Sequence, residues 1–216
     1  MTIKVKICGL TDKKTVEIAV NAGADFLGVV FFDKSPRYIT TIDANEILQS
    51  VPKKIKKVGL FVDPKDALLD DAMNNVNLDF FQLHGTESPE RVEQVRLKFG
   101  MSVIKTISVS EISDLDCVSS YADVADWLLF DAKPSVGATC PGGNSLPIDW
   151  NILKKRTWFC PWFLAGGLTI DNVNEAIRLS ETRAVDISSG VESNIGIKDF
   201  DKIIKFISVV RDNPDF

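Results

Sequence analysis

The stretch Ile3-Lys4-Val5-Lys6-Ile7-Cys8-Gly9-Leu10-Thr11-Asp12-Lys13-Lys14-Thr15-Val16-Glu17-Ile18-Ala19-Val20-Asn21-Ala22-Gly23 holds one complete strand-and-helix unit. Ile3–Cys8 is β-branched and alternating, which predicts a strand. Thr11 or Asp12 can cap a helix that carries Val16, Ala19 and Val20 on one face, and Gly23 is placed to end it. Outward from this unit the alternation recurs, with strands expected at Phe26–Phe32, Lys57–Val62, Asp79–Leu83, Ser102–Thr106, Trp127–Phe130, Trp162–Ala165 and Ala184–Ile187. Helix signals follow most of them. Ser88-Pro89-Glu90 reads as cap and first-turn proline before Val92, Val95 and Phe99. Thr169 or Asp171 precedes Val173, Ala176 and Ile177, and Ile203, Phe206, Ile207 and Val210 fall at i, i+3, i+4 and i+7. Eight such units in 216 residues leave 27 each, enough for a strand, a helix and two short loops. Alternating strands and helices imply a parallel sheet with right-handed crossovers, and eight repeats allow it to close. The expectation is a single α/β domain over 1–216, a (β/α)8 TIM barrel. An open doubly wound sheet is the alternative, but Cys8-Gly9-Leu10-Thr11 lacks the G-x-G-x-x-G loop that usually marks it.

Composition narrows the function classes. The chain is 45% hydrophobic and 25% charged with 13 Gly and 9 Pro, average for a globular protein and unlike disordered or disulfide-stapled chains. A net charge of −5 with no basic block argues against nucleic acid and anionic membranes as partners. No apolar run approaches the roughly 20 residues that span a bilayer, and the first residues lack a signal-peptide core, so a cytoplasmic protein is expected. Cys8, Cys117, Cys140 and Cys160 match no zinc or CxxC spacing, so neither a metal nor a disulfide is expected.

In a closed barrel the chemistry collects at the carboxyl ends of the strands. Those ends carry Cys8-Gly9, Phe32-Asp33, Asp63, His84-Gly85, Thr106, Asp131, Gly166-Gly167 and Ser188-Ser189-Gly190. Strand parity sends Ile3, Val5 and Ile7 outward beneath the helices and leaves Cys8 inward. Gly166-Gly167 and Ser189-Gly190 place small residues beside helix starts in the last two units, where backbone N–H groups can seat a phosphate. Either loop alone would read as a tight turn or a cap; the two together favour an anion.

Several segments resemble the signatures of the phosphoribosylanthranilate isomerase family. They are Lys6-Ile7-Cys8-Gly9-Leu10-Thr11, Ala22-Gly23-Ala24-Asp25, Lys34-Ser35-Pro36-Arg37-Tyr38, Gln82-Leu83-His84-Gly85, Leu164-Ala165-Gly166-Gly167-Leu168 and Val185-Asp186-Ile187-Ser188-Ser189-Gly190-Val191-Glu192-Ser193. They keep the family's order and span nearly the whole chain. The resemblance implies a (β/α)8 barrel, no cofactor, and the third chemical step of tryptophan biosynthesis. That step is the Amadori rearrangement of N-(5-phosphoribosyl)anthranilate to 1-(2-carboxyphenylamino)-1-deoxyribulose 5-phosphate. It implies Cys8 as general base and Asp131 as general acid, Arg37 facing the anthranilate, and Asp186 near the sugar hydroxyls. His84, the only histidine, is expected to line the pocket.

Read as residues, the same positions keep ordinary alternatives. Cys8, with a reference pKa of ~8.5, could be a small buried apolar group. Asp131, which ends the apolar run Trp127-Leu128-Leu129-Phe130, could be a loop cap. Lys34 rivals Arg37, and Asp186 could be a buried carboxylate paired with Lys4 or Lys6. The loop after Asp131 departs from the family, with Ser145 where a glycine is common and Ile148 where phenylalanine is common; its glycines suit a lid. Cys140 within it is expected to be incidental, and Cys117 and Cys160 structural. Two other classes compete. A non-catalytic phosphoribosyl-binding barrel would keep the glycine loops without needing both Cys8 and Asp131. Another sugar-phosphate barrel isomerase would share the phosphate seat but carry different proton-transfer residues.

Overall fold

The computed structural model describes residues 2–133, 149–154, 156 and 158–213. Its centre is a closed barrel of parallel strands in the order β1-β2-β3-β4-β5-β6-β7-β8. They span Lys4–Cys8, Phe26–Val30, Lys56–Phe61, Phe80–Leu83, Ser102–Val109, Trp127–Ala132, Trp162–Leu164 and Ala184–Ile187. All eight expected strands form, with ends moved by a few residues; β5 runs three residues further than expected. The helices are α1 Lys13–Ala22, α2 Thr41–Leu48, α3 Asp66–Asn75, α4 Pro89–Phe99, α5 Asn151–Lys154, α6 Val173–Ser180 and α7 Phe200–Arg211, and a hairpin of β9 Glu192–Asn194 and β10 Ile197–Lys198 precedes α7.

Local chemistry explains most of these boundaries. Asp12 caps α1 by accepting the Thr15 N–H, and Gly23 closes the helix in the left-handed region at φ 96°. Ser88 caps α4 with Pro89 behind it. The cap of α6 differs from expectation. Asn172, not Thr169 or Asp171, sits at the boundary, and its side chain accepts the Thr169 N–H while donating to the Gly167 carbonyl. An amide offers both a donor and an acceptor, which a hydroxyl-only cap could not direct to both sides of this turn. The fifth crossover has no α-helix. It uses two 3-10 turns, Ile112–Leu115 and Val118–Tyr121, because Asp114 accepts from the Ser110 and Glu111 N–H groups and Ser120 donates to the Cys117 carbonyl. Such local side-chain bonds compete with a helical ladder.

Inward and outward residues form two separate apolar cores. Val5, Ile7, Leu27, Val29, Phe81 and Val185 belong to the mantle between strands and helices. Phe26, Val58, Ile104, Leu129, Phe163, Ala165 and Ala184 fill the barrel. The amino-terminal end is plugged by rings, with Phe26 edge-on to Phe163 at 5.0 Å between centroids and Trp127 stacked on Phe163 at 4.7 Å.

A repeated device seats these rings. Asp25-Phe26, Asp79-Phe80 and Asp126-Trp127 begin β2, β4 and β6, and each carboxylate accepts a backbone N–H of the preceding strand, from Val5, Lys57 and Val103 at 2.8–2.9 Å. Asp25 also holds Lys4 and, from the last helix, Arg211. Burial would raise its pKa, but the bonds from Lys4, the Val5 amide and Arg211 outweigh that and lower it. The group therefore stabilises the fold above the ordinary carboxylate range and loses that contribution as acid protonates it. Asp25→Ala should cost about 1–3 kcal/mol near neutral pH, read as a lower urea midpoint at unchanged slope, and the gap to the parent protein should close as the pH falls through the lowered value. No helix among the described residues is long and apolar enough to cross a membrane.

Candidate active site

Inward parity at the carboxyl ends of the strands brings the nine expected residues around one cleft. Cys8, Arg37, His84, Asp131, Gly166, Gly167, Asp186, Ser189 and Gly190 all line it. Val30, Leu60 and Leu168 give it an apolar wall.

The glycine loops are built as backbone cradles. Gly166 and Gly167 are both left-handed, at φ 80° and 64°. A Cβ on Gly166 would lie 2.4 Å from the Ala132 nitrogen, and one on Gly190 would lie 2.0 Å from the Leu168 carbonyl oxygen. Neither position accepts a side chain, because Gly166 packs on Ala132 at the end of β6 and Gly190 packs on the Leu168 backbone.

Cys8 ends β1, is buried, and is a free thiol. Gly28 on β2 makes room for it, since a Cβ there would lie 2.8 Å from Sγ. Burial pushes the thiol up, Lys6 pulls it down, and Asp186 raises it further. Asp131 is 5% exposed within β6, with its Oδ2 at 3.2 Å from His84 Nε2. That contact is close without being aligned as a hydrogen bond. The Gln82 amide nitrogen lies 3.0 Å from His84 Nδ1.

Asp186 is the buried partner of Lys6 and also faces the cleft. It lines the cleft, and its Oδ1 accepts from Lys6 Nζ at 3.0 Å. Lys4 points elsewhere, to Asp25. Arg37 lies in the cleft wall, but its fork is engaged by Glu192, through Nε–Oε1 at 2.7 Å and Nη2–Oε2 at 2.9 Å. Lys198 joins the same carboxylate at 2.8 Å and donates to the Ser188 carbonyl and hydroxyl. Burial would raise the Glu192 carboxyl, but Arg37 and Lys198 hold it down at about 2. Glu192, Lys198 and Asn172 carry no expected role from sequence. Glu192 stands inside a quoted signature segment, whereas the hairpin that brings Lys198 back to Ser188 has no local signal. Cys117 is exposed, so it has no packing role, and Cys160 is half-buried. Cys140, Ser145, Ile148 and the expected lid lie outside the described residues.

Glu192→Gln should keep the fold while loosening Arg37. Because charge-assisted bidentate pairs fix a guanidinium in place, KM is expected to rise by about tenfold, with kcat changed less; a KM within twofold of the parent would count against this coupling.

The sequence profile of the N-(5'-phosphoribosyl)anthranilate isomerase family matches residues 5–209. The chain belongs to this family. It is 54% identical over 211 residues to the N-(5'-phosphoribosyl)anthranilate isomerase of Paramagnetospirillum magneticum, covering 98% of each chain. Among solved structures it resembles the phosphoribosyl anthranilate isomerase of Thermotoga maritima at TM-score 0.86 and 36% identity, covering 97% of this chain and 98% of that one. It also resembles a phosphoribosyl anthranilate isomerase in complex with reduced 1-(o-carboxyphenylamino)-1-deoxyribulose 5-phosphate, at TM-score 0.84 and 35% identity over 97% and 98% of the two chains. Family membership fits the cleft, whose order around the barrel is Cys8, Arg37, His84, Asp131 and the glycine loops after β7 and β8.

Proposed function

We propose that the chain catalyses the family's Amadori rearrangement, converting N-(5-phosphoribosyl)anthranilate to 1-(2-carboxyphenylamino)-1-deoxyribulose 5-phosphate, with Cys8 as base and Asp131 as acid. The observation that carries the assignment is the placement of a thiol and a carboxylate on β1 and β6 of the closed barrel, both buried, both facing one cleft that ends in a glycine cradle. A sugar phosphate seated at the loops after β7 and β8 extends its ring over the barrel mouth. Its far end then reaches the β2 side, where Arg37 stands.

The chemistry opens with two proton transfers. Asp131 gives a proton to the furanose ring oxygen as the C1–O bond breaks, and the anthranilate nitrogen supplies the electrons that form an iminium. Cys8, as thiolate, then takes the proton from C2, and the pair left behind forms the C1=C2 bond of an enolamine. Protonation at C1 and loss of the C2 hydroxyl proton give the ketone, so the reaction is balanced without redox partner or added group. Each positioned transfer contributes about 10²–10⁴-fold. Asp186 lies near the hydroxyl-bearing middle of the substrate. Gly166, Gly167, Ser189 and Gly190 bind the phosphate through backbone N–H groups, which suits a chain whose net charge is −5. The barrel as one domain over 1–216 completes the proposal.

The test is loss of the substrate's anthranilate fluorescence on addition of the purified protein. Protein-dependent, multiple-turnover loss is expected. A signal that shifts on binding but does not decay would favour a non-catalytic phosphoribosyl-binding barrel.

A further inference from the structure

Lys6 is fully buried on the inward face of β1, two residues before Cys8. The register sets it beside Asp186 on β8, to which its ammonium donates. On the other flank, on β2, Phe26 is in register with Lys6 and Gly28 with Cys8, and a Cβ on Gly28 would lie 3.3 Å from Lys6 Cε and 2.8 Å from Cys8 Sγ. The lysine stem and the sulfur thus share one slot against bare backbone. A buried ion pair that served packing alone would be replaceable by apolar residues at no loss of stability. Lys6 pairs with Asp186, while Arg37 and Lys198 share Glu192 on the hairpin side, and Asp131 adds a further carboxylate to the same cleft.

We propose that Lys6 is a positioning residue for the base, its ammonium serving as counter-charge to the Cys8 thiolate. This rests on the reading of Cys8 as base. The thiol proton leaves to solvent before turnover. The sulfur then takes the C2 proton and becomes a thiol again, and Lys6 keeps its three protons throughout. The charged groups acting on the sulfur are Lys6 from its own strand, Asp186 from β8 and Lys198 from the hairpin. Burial opposes ionisation most strongly, Lys6 is the largest influence favouring it, and Asp186 works against Lys6.

The test is the pH dependence of Cys8 alkylation by iodoacetamide, followed on the Cys8 peptide by mass spectrometry, alongside kcat. In Lys6→Met the midpoint is expected to move up by at least about one unit, a tenfold smaller thiolate fraction at neutral pH, with kcat falling in step and Lys6→Arg recovering part of both. Asp186→Asn is expected to move the midpoint down. Should Lys6→Met fail to fold, the double variant Lys6→Met with Asp186→Asn, which removes both charges of the buried pair together, is compared with Asp186→Asn alone and isolates the lysine. A midpoint unchanged in folded Lys6→Met, or unchanged in the double variant relative to Asp186→Asn alone, overturns the role of Lys6. Wild-type turnover in Cys8→Ser would instead overturn the assignment of the base.

Discussion

Cys8→Ser is expected to fold like the parent protein and to lose turnover by at least about two orders of magnitude. The hydroxyl is slightly smaller than the thiol and fits the same space against Gly28, so the mantle and the barrel plug are untouched. What changes is acidity and softness. An alcohol holds its proton far more tightly than a thiol, and neither Lys6 nor Lys198 can draw it off near neutral pH. Substrate binding should persist, because the phosphate loops and Arg37 are not altered, so the loss should fall on kcat with KM nearly constant. Steady-state loss of anthranilate fluorescence measures it, with circular dichroism and the urea midpoint as controls. Turnover within a few-fold of the parent would remove Cys8 from the reaction.

Asp131→Asn is expected to be as damaging, at least about 10²-fold in kcat, by stopping the earlier step. The amide has the shape of the carboxyl group and can still face His84 Nε2, which stands 3.2 Å from Asp131 Oδ2 in the parent. It has no proton to give the ring oxygen. The two variants should then separate kinetically. Substrate deuterated at C2 of the ribose should show a primary isotope effect when the base step limits the rate, as in Cys8→Ser. That effect should be suppressed in Asp131→Asn, where ring opening limits. A full isotope effect with near-parent kcat in Asp131→Asn would place the acid elsewhere.

The strands were legible because each is a short β-branched or aromatic run whose inward and outward residues obey a period of two. Cys8 falls inward by that rule alone, and it is buried in the cleft at the barrel's mouth. Where local bonds replaced the periodic pattern, as in the Ser- and Asp-rich fifth crossover, the helix expected of a regular unit gave way to 3-10 turns. The α6 cap was misplaced because three neighbouring residues are all competent caps, and only the carbonyl of Gly167, held left-handed, selects the amide of Asn172.

By itself the sequence determined the eight-fold repeat and the side of the sheet on which each strand residue falls. These are local matters of backbone sterics and periodicity, settled within a few residues. The tertiary structure alone decided which charges meet. Arg37 and Glu192 are 155 residues apart and Lys6 and Asp186 are 180 apart, so their pairing depends on closure of β1 against β8 and on the hairpin folding back over the mouth. Whether a cleft residue is free for substrate or held by a neighbour is fixed by that closure, because an ion pair in a buried site requires a partner within a few ångströms.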